Sequence, residues 1–205
     1  MKRSRWALVA VAAWTLAAAA DPAAFTLQHV LERIRPADGH FASAYRQTRA
    51  STLLTNPVTT HGRIAFTAPD RLRKVEIAAD GSRRVVTIDN NTVTVRSNDG
   101  NDAFPLARAP MLAFMVRTLT SLAAADGRTL RDRYDARLEG DWAHWQIKLD
   151  TGSPDSSGKP GTIAGQATHA SLDLAGHAGR VDAIELDSAA TGRIRIRLLD
   201  RDAGK

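Results

Sequence analysis

The chain has 205 residues, with 28 Lys and Arg against 22 Asp and Glu and no cysteine. Without cysteine there are no disulfides, thiolate metal sites, thiol nucleophiles or lipid anchors through that residue. Half of the net charge of +6 sits on Lys2, Arg3 and Arg5, so the rest is too weakly basic for a nucleic-acid footprint.

Residues 1–20 read as a signal peptide. A basic start (Met1–Arg5) leads into the apolar run Trp6–Ala20, which ends in Ala18-Ala19-Ala20 before Asp21-Pro22. As a helix that run rises about 22 Å, short of a ~30 Å hydrocarbon core. Cleavage after Ala20 is therefore expected, with a retained anchor as the alternative. The mature chain is read as one domain over residues 21–199, followed by a polar tail at 200–205.

The mature part opens with a helix over Phe25–Arg35. Phe25, Leu27, Val30, Leu31 and Ile34 share one side, Thr26 is the candidate cap, and Pro36 stops it. From residue 40 the period changes to two. Phe41, Ser43, Tyr45 and Gln47 share one strand face. Val58, Thr60, Gly62, Ile64 and Phe66 share the next. After the turn Ala68-Pro69-Asp70, Leu72–Ala78 carries Arg73, Val75 and Ile77 on one face. Arg84–Ile88 and Thr92–Arg96 flank Asp89-Asn90-Asn91, a tight-hairpin signal because Asn tolerates positive φ. Asn98-Asp99-Gly100 marks a further turn.

A helix then interrupts the meander. Met111, Phe114, Met115, Thr118, Leu119 and Leu122 form a stripe over Met111–Ala125, with Pro110 at its start and Asp126-Gly127 at its end. Leu130–Arg133 adds one helical turn. Strands resume at Tyr134–Glu139 and Trp142–Asp150, where Trp145, Ile147 and Leu149 share a face. Gly152–Gly165 reads as a long Gly/Ser/Pro-rich loop. Ala170–Leu174, Arg180–Asp187 and Gly192–Leu199 complete the set. In the last, Ile194, Ile196 and Leu198 alternate with Arg193, Arg195 and Arg197, which either shield an edge strand or steer the protein to anionic head groups.

About ten short antiparallel strands predict a mainly β, α+β domain with a strongly curved sheet. A central helix with two adaptable Met side chains can cover its concave face and leave an apolar pocket. The alternative is a helix fully docked in a solid core.

The segment Gly62–Val95 resembles the LolA-type outer-membrane lipoprotein carriers. The residues concerned are Gly62-Arg63-Ile64-Ala65-Phe66, Pro69, Leu72-Arg73, and the pair Val85–Ile88 and Val93–Val95. Phe41-Ala42-Ser43-Ala44-Tyr45-Arg46-Gln47 is similar to the family's first strand, and the likeness spans roughly residues 25–199, placing the chain in a divergent branch. It implies an incomplete antiparallel β-barrel with an N-terminal helix and a mid-chain helical lid over an apolar cavity for acyl chains. On this chain the lining would come from Phe41, Tyr45, Ile64, Phe66, Leu72, Val75, Ile77, Trp145 and Ile147 on strands. The lid would contribute Met111, Phe114, Met115, Leu119 and Leu122. The family's lid-binding Arg before the turn Pro is replaced by Ala68, which leaves Arg71 or Arg73 as a substitute latch.

The implied role is a monomeric periplasmic carrier of an acylated or polyene-like lipid or lipoprotein. Its partners would be a membrane-protein donor and an outer-membrane acceptor, with no cofactor, metal or nucleic acid. A lipid-sensing adaptor that binds a membrane protein is the second class. A hydrolase of acyl esters is the third. It has little support, because His29, His40, His61, His144, His169 and His177 show no metal spacing and only Asp141/His144 and Asp173/His177 could pair.

Overall fold

A computed structural model describes residues 24–36, 38–151, 170–189 and 192–199. The signal-peptide, 152–165 loop and tail readings lie outside the described residues. No described helix is long and apolar enough to cross a membrane.

Helix α1 (Leu27–Ile34) starts where the sequence places its cap: the Thr26 side chain accepts the His29 N–H at 3.3 Å. The first meander follows as β1 (His40–Ala50), β2 (Val58–Thr67), β3 (Arg71–Ile77), β4 (Arg83–Asp89), β5 (Thr92–Ser97) and β6 (Gly100–Pro105). Asn90 and Asn91, at φ 48° and 59°, supply the left-handed pair that a two-residue turn between β4 and β5 requires. After a short 3-10 turn come α2 (Pro110–Ala123) and α3 (Gly127–Arg133), the latter capped by Asp126 Oδ1 on the Thr129 N–H at 2.9 Å. The second meander is β7 (Asp135–Gly140), β8 (Trp145–Asp150), β9 (Ala170–His177), β10 (Arg180–Ser188) and β11 (Gly192–Leu199).

These strands form one antiparallel sheet in the order β6-β5-β4-β3-β2-β1-β11-β10-β9-β8-β7. The two meanders join through β1 and β11, with Gln47 opposite Ile196. Its outer strands β6 and β7 do not pair, so the sheet is an open half-barrel. Those two edges are joined by residues 106–134, and the chain must cross the concave face to connect them. That crossing is α2 and α3.

Strand alternation and register define the inner face across the sheet. It carries Tyr45 and Gln47 on β1, Ile64 and Phe66 on β2, Leu72 on β3, Ile88 on β4 and Val93 on β5. Ile196, Ile184, Leu172, Leu174 and Ile147 continue it across the second meander. The helices pack onto one end of this face through Leu27, Val30, Leu31, Phe114, Val116, Leu122 and Leu130, all buried. Phe25 packs edge-on against Trp142 and Phe114 against Tyr134, at 5.4 and 5.5 Å between ring centres.

Three sequence expectations change. Strand β6 is an additional one, since Gly100-Asn101-Asp102-Ala103 carries little strand propensity and is held by pairing with β5. Strand β8 begins at Trp145, because Asp141 Oδ1 accepts the Ala143 and His144 N–H groups and holds that stretch as a turn. Strand β11 is interior, and its outward arginines meet acids of β10, with Arg193 Nη2 3.1 Å from Asp187 and Arg195 2.6 Å from Glu185.

Gly62 is fixed by close approach: a Cβ there would lie 1.8 Å from the Val75 carbonyl oxygen. Across this bare position the Tyr45 hydroxyl donates to that same oxygen at 3.2 Å. Gly62→Ala is expected to destabilise the fold by about 1–3 kcal/mol through overpacking, measured by chemical denaturation.

Candidate functional site

The helical layer fills only part of the bowl. At the other end a cavity of about 890 Å³ opens between the sheet and the first turns of α2. One wall is apolar along its length: Leu172 of β9, Ile184 and Leu186 of β10, and Ile194 and Ile196 of β11. Met111, Leu112 and Met115 of α2 roof it. The opposite wall changes character toward the mouth. On β3 and the turn beyond it the lining runs Leu72, Lys74, Glu76, Ala78, Asp80, while on β4 Val86 gives way to Arg84 and on β1 Gln47 to Arg49. The mouth is framed by the 51–57 loop, where Leu53 is 91% exposed, and by Val58, Arg83, Asn98 and Asp99.

The structure divides the fourteen anticipated lining residues. Ile64, Leu72, Met111 and Met115 border the cavity. Tyr45, Phe66, Phe114, Leu122, Trp145 and Ile147 are buried in the packed core, and Phe41 and Leu119 are half-buried against it. Phe114 and Leu122 belong to the part of α2 that is docked. Gly176 leaves room for the Trp145 ring, which lies 2.4 Å from where a Cβ would stand. Val75 and Ile77 lie on the face away from the cavity, because Leu72, Lys74 and Glu76 are the inward set on β3.

The sequence reading missed the polar group on the cavity floor, although its strand positions mark it. Lys74 Nζ donates to Gln47 Oε1 and to Glu76 Oε2, both at 2.7 Å. Gln47 Nε2 reaches Glu76 Oε2 at 3.4 Å and Thr60 Oγ1 at 3.5 Å. The Lys74 and Glu76 side chains are 17% and 20% exposed, so the pair is largely withdrawn from water. Lys74 Nζ also stands 5.3 Å from the centre of the Tyr45 ring. Burial, and then the negative charge of Glu76, push the Tyr45 phenol above its ordinary value.

Neither arginine proposed as a latch is placed against the lid. Arg71 pairs with Asp89 of β4 at 3.5 Å, and Arg73 is exposed on the outer face. The lid is tied to the same turn by a different group. The Thr120 hydroxyl of α2 faces the Pro69 carbonyl oxygen, and the Val116 carbonyl of its own helix lies 2.9 Å away. Gln28 of α1 adds a hydrogen bond to the Ala125 carbonyl beyond α2 at 3.2 Å.

Catalytic groupings are weak by comparison. Asp173 accepts from Gln146 at 3.2 Å rather than meeting His177, whose Nδ1 lies 2.6 Å from Asp182 on the surface. Among the described residues no three His, Asp or Glu converge on a metal position.

An open half-barrel, a helical cover and a large amphipathic cavity define a class of ligand-enclosing β-proteins. The chain belongs to the family described as outer membrane lipoprotein carrier protein LolA-like, whose model matches residues 18–189. No curated protein matches it. Among solved structures it is similar to a LolA superfamily protein from Nitrosomonas europaea, at 13% identity and a TM-score of 0.43, covering 86% of this chain and 93% of that one. The lipoprotein LppX of Mycobacterium tuberculosis matches at 13% identity and a TM-score of 0.39, covering 88% and 95%. The MucA/MucB complex of Pseudomonas aeruginosa matches at 14% identity and a TM-score of 0.40, covering 84% and 55%. Family membership rests on the sequence match.

Two outcomes follow from this geometry. Thr120→Val removes the bond from lid to turn, so hydrogen exchange at residues 116–123 should quicken by about five-fold, or ~1 kcal/mol, with β1 unchanged. Tyr45 keeps its proton longer in the folded state than in the unfolded one. Its contribution is therefore complete below an unfolded value of about 10 and is lost as pH rises beyond it. Above about pH 10 the unfolding free energy of the native protein should fall more steeply than that of Tyr45→Phe, by up to ~1.4 kcal/mol per pH unit.

Proposed function

We propose that the protein is a periplasmic carrier that shields the acyl chains of a lipoprotein, or of another acylated or polyene-like lipid, and passes them toward the outer membrane. The observation that carries this reading is the cavity of about 890 Å³ between the inner sheet face and α2, with one wall wholly apolar. Each methylene taken out of water contributes about 0.8 kcal/mol, so a sixteen-carbon chain in solution is penalised by roughly 12 kcal/mol. A cavity with an open mouth and a roof partly of Met offsets much of that cost. The same features let the chain leave again, because unbranched thioether side chains repack at small cost.

In this reading the protein binds and releases its cargo and leaves it chemically unchanged. It works as a monomer between a membrane-protein donor and an outer-membrane acceptor. The basic, apolar N-terminal segment and its small-residue end support export through a cleaved signal. The family assignment supports a carrier over a hydrolase.

The test is direct. Protein purified from a periplasm is extracted with organic solvent, and the extract is expected to contain acyl lipid by mass spectrometry. Delipidated protein should bind a fluorescent fatty acid, and Met115→Asp should weaken that binding by about ten-fold or more while the melting transition is retained, since Met115 lines the roof. Phe114→Asp is a poor substitute because Phe114 is buried in the core and the change would unfold the lid. Lipid-free protein that binds no alkyl probe, or hydrolysis of acyl esters by the pure protein, would overturn the reading.

A further inference from the structure

A cavity that only enclosed hydrocarbon would gain nothing from ionic groups on its floor. A buried Lys–Glu pair is commonly no more stabilising than two apolar side chains of the same volume, because both charges lose their water. Yet Lys74 and Glu76 stand on the inward face of β3, Lys74 between Ile64 and Val86 and Glu76 between Gly62 and Arg84 of the neighbouring strands.

The donors of this cluster are only partly used. An ammonium carries three N–H groups, and Gln47 and Glu76 accept two of those of Lys74. The third has no oxygen acceptor among the described residues and stands only near the Tyr45 ring, 5.3 Å from its centre. Arg84, the cross-strand neighbour of Glu76, borders the same space, as does Arg49 beyond Gln47, and neither has an ion-pair partner among the described residues. The inward strand positions here thus carry three cations, Lys74 largely withdrawn from water and Arg49 and Arg84 exposed toward the mouth, against the one carboxylate of Glu76. At the rim Arg83 is matched by Asp80 and Asp99, and the Asp80 carboxylate is already engaged by the Ser82 N–H at 2.8 Å.

We infer that this cluster seats an anionic oxyacid head group, a carboxylate or a phosphate, on the end of an alkyl chain. Lys74 donates its remaining N–H to the oxyanion and Arg84 supplies a second, forked set of donors. Glu76 and Gln47 are positioning residues that hold the ammonium against the floor. The tail lies along the apolar wall of β9–β11 beneath Met111 and Met115. The inference rests on the carrier reading and adds to it the chemistry by which the cavity selects its ligand.

The experiment compares four sixteen-carbon competitors for displacement of a neutral fluorescent alkyl probe at neutral pH: hexadecanoate, hexadecyl phosphate, methyl hexadecanoate and hexadecanol. A charge-assisted contact predicts that at least one of the two acids displaces the probe about ten-fold more effectively than the ester and the alcohol, and the better acid identifies the oxyacid. Lys74→Met and Arg84→Gln should each shrink that preference to about three-fold or less while ester binding is kept. Because Lys74→Met strands Glu76, the double variant Lys74→Met/Glu76→Met is measured beside it. It should fold and bind the ester at least as well as the native protein. If the ester and alcohol bind as well as either acid, or if the preference survives both cation substitutions, the head-group site is wrong and the carrier reading stands. If the probe and all four competitors fail to bind, the carrier reading falls and takes this site with it.

Discussion

The organising constraint is a mismatch between the span of the sheet and the size of the helical layer laid across it. Eleven strands at about 4.8 Å spacing describe an arc of roughly 48 Å, and an eleven-residue strand such as β1 is about 36 Å long. The crossing helix α2 has 14 residues, hence a length of about 21 Å and a width of about 10 Å. Helices α1 and α3 are shorter still. Together they bury the inner face at one end of the bowl, against Phe66, Ile88, Val93 and Ile147. They leave the end that holds Ile184, Ile194 and Gln47 with a roof of α2's first turns. The cavity follows from topology, because the two edges of the sheet are joined by a single helical passage.

What fills the deficit is set by side-chain chemistry. The β9–β11 wall offers branched aliphatic groups that dispersion and dehydration draw toward hydrocarbon. The β1–β4 wall turns polar toward the mouth, and Lys74 sits where the two regimes meet. The outer arginines of β11, paired with Asp187 and Glu185, keep the convex side charged and wet. The inner and outer faces of the same strands therefore serve opposite solvents, which is what one strand period of two allows.

Much of this arrangement is legible in the residues. Thr26 and Pro36 bracket α1, Asn90-Asn91 turns the hairpin, and the Ile/Arg alternation of 194–198 is an unambiguous two-faced strand. Alternation groups residues by face but does not say which face turns inward. On β3 the set Val75 and Ile77 reads as the more apolar, yet Leu72, Lys74 and Glu76 are the inward ones, because register with β2 and β4 decides the matter. Nor does a helical stripe reveal how much of a helix is docked. Phe114 and Met115 are adjacent in the same stripe, and one is in the core while the other borders the cavity. The floor cluster escapes notice for a related reason: Gln47, Lys74 and Glu76 meet only through strand pairing. Likewise Thr120 reaches the Pro69 turn across 51 residues of sequence, so no local pattern announces the tie.

The central claim is that the uncovered end of the inner face holds an alkyl chain. Methyl NMR with a stearic acid that carries a nitroxide in its tail addresses it directly. The account predicts selective broadening of the Ile184, Ile194, Ile196, Met111 and Met115 methyl signals, with Ile88 and Ile147 at the packed end unaffected. Uniform broadening over the surface, or none at the cavity methyls under saturating ligand, would contradict it.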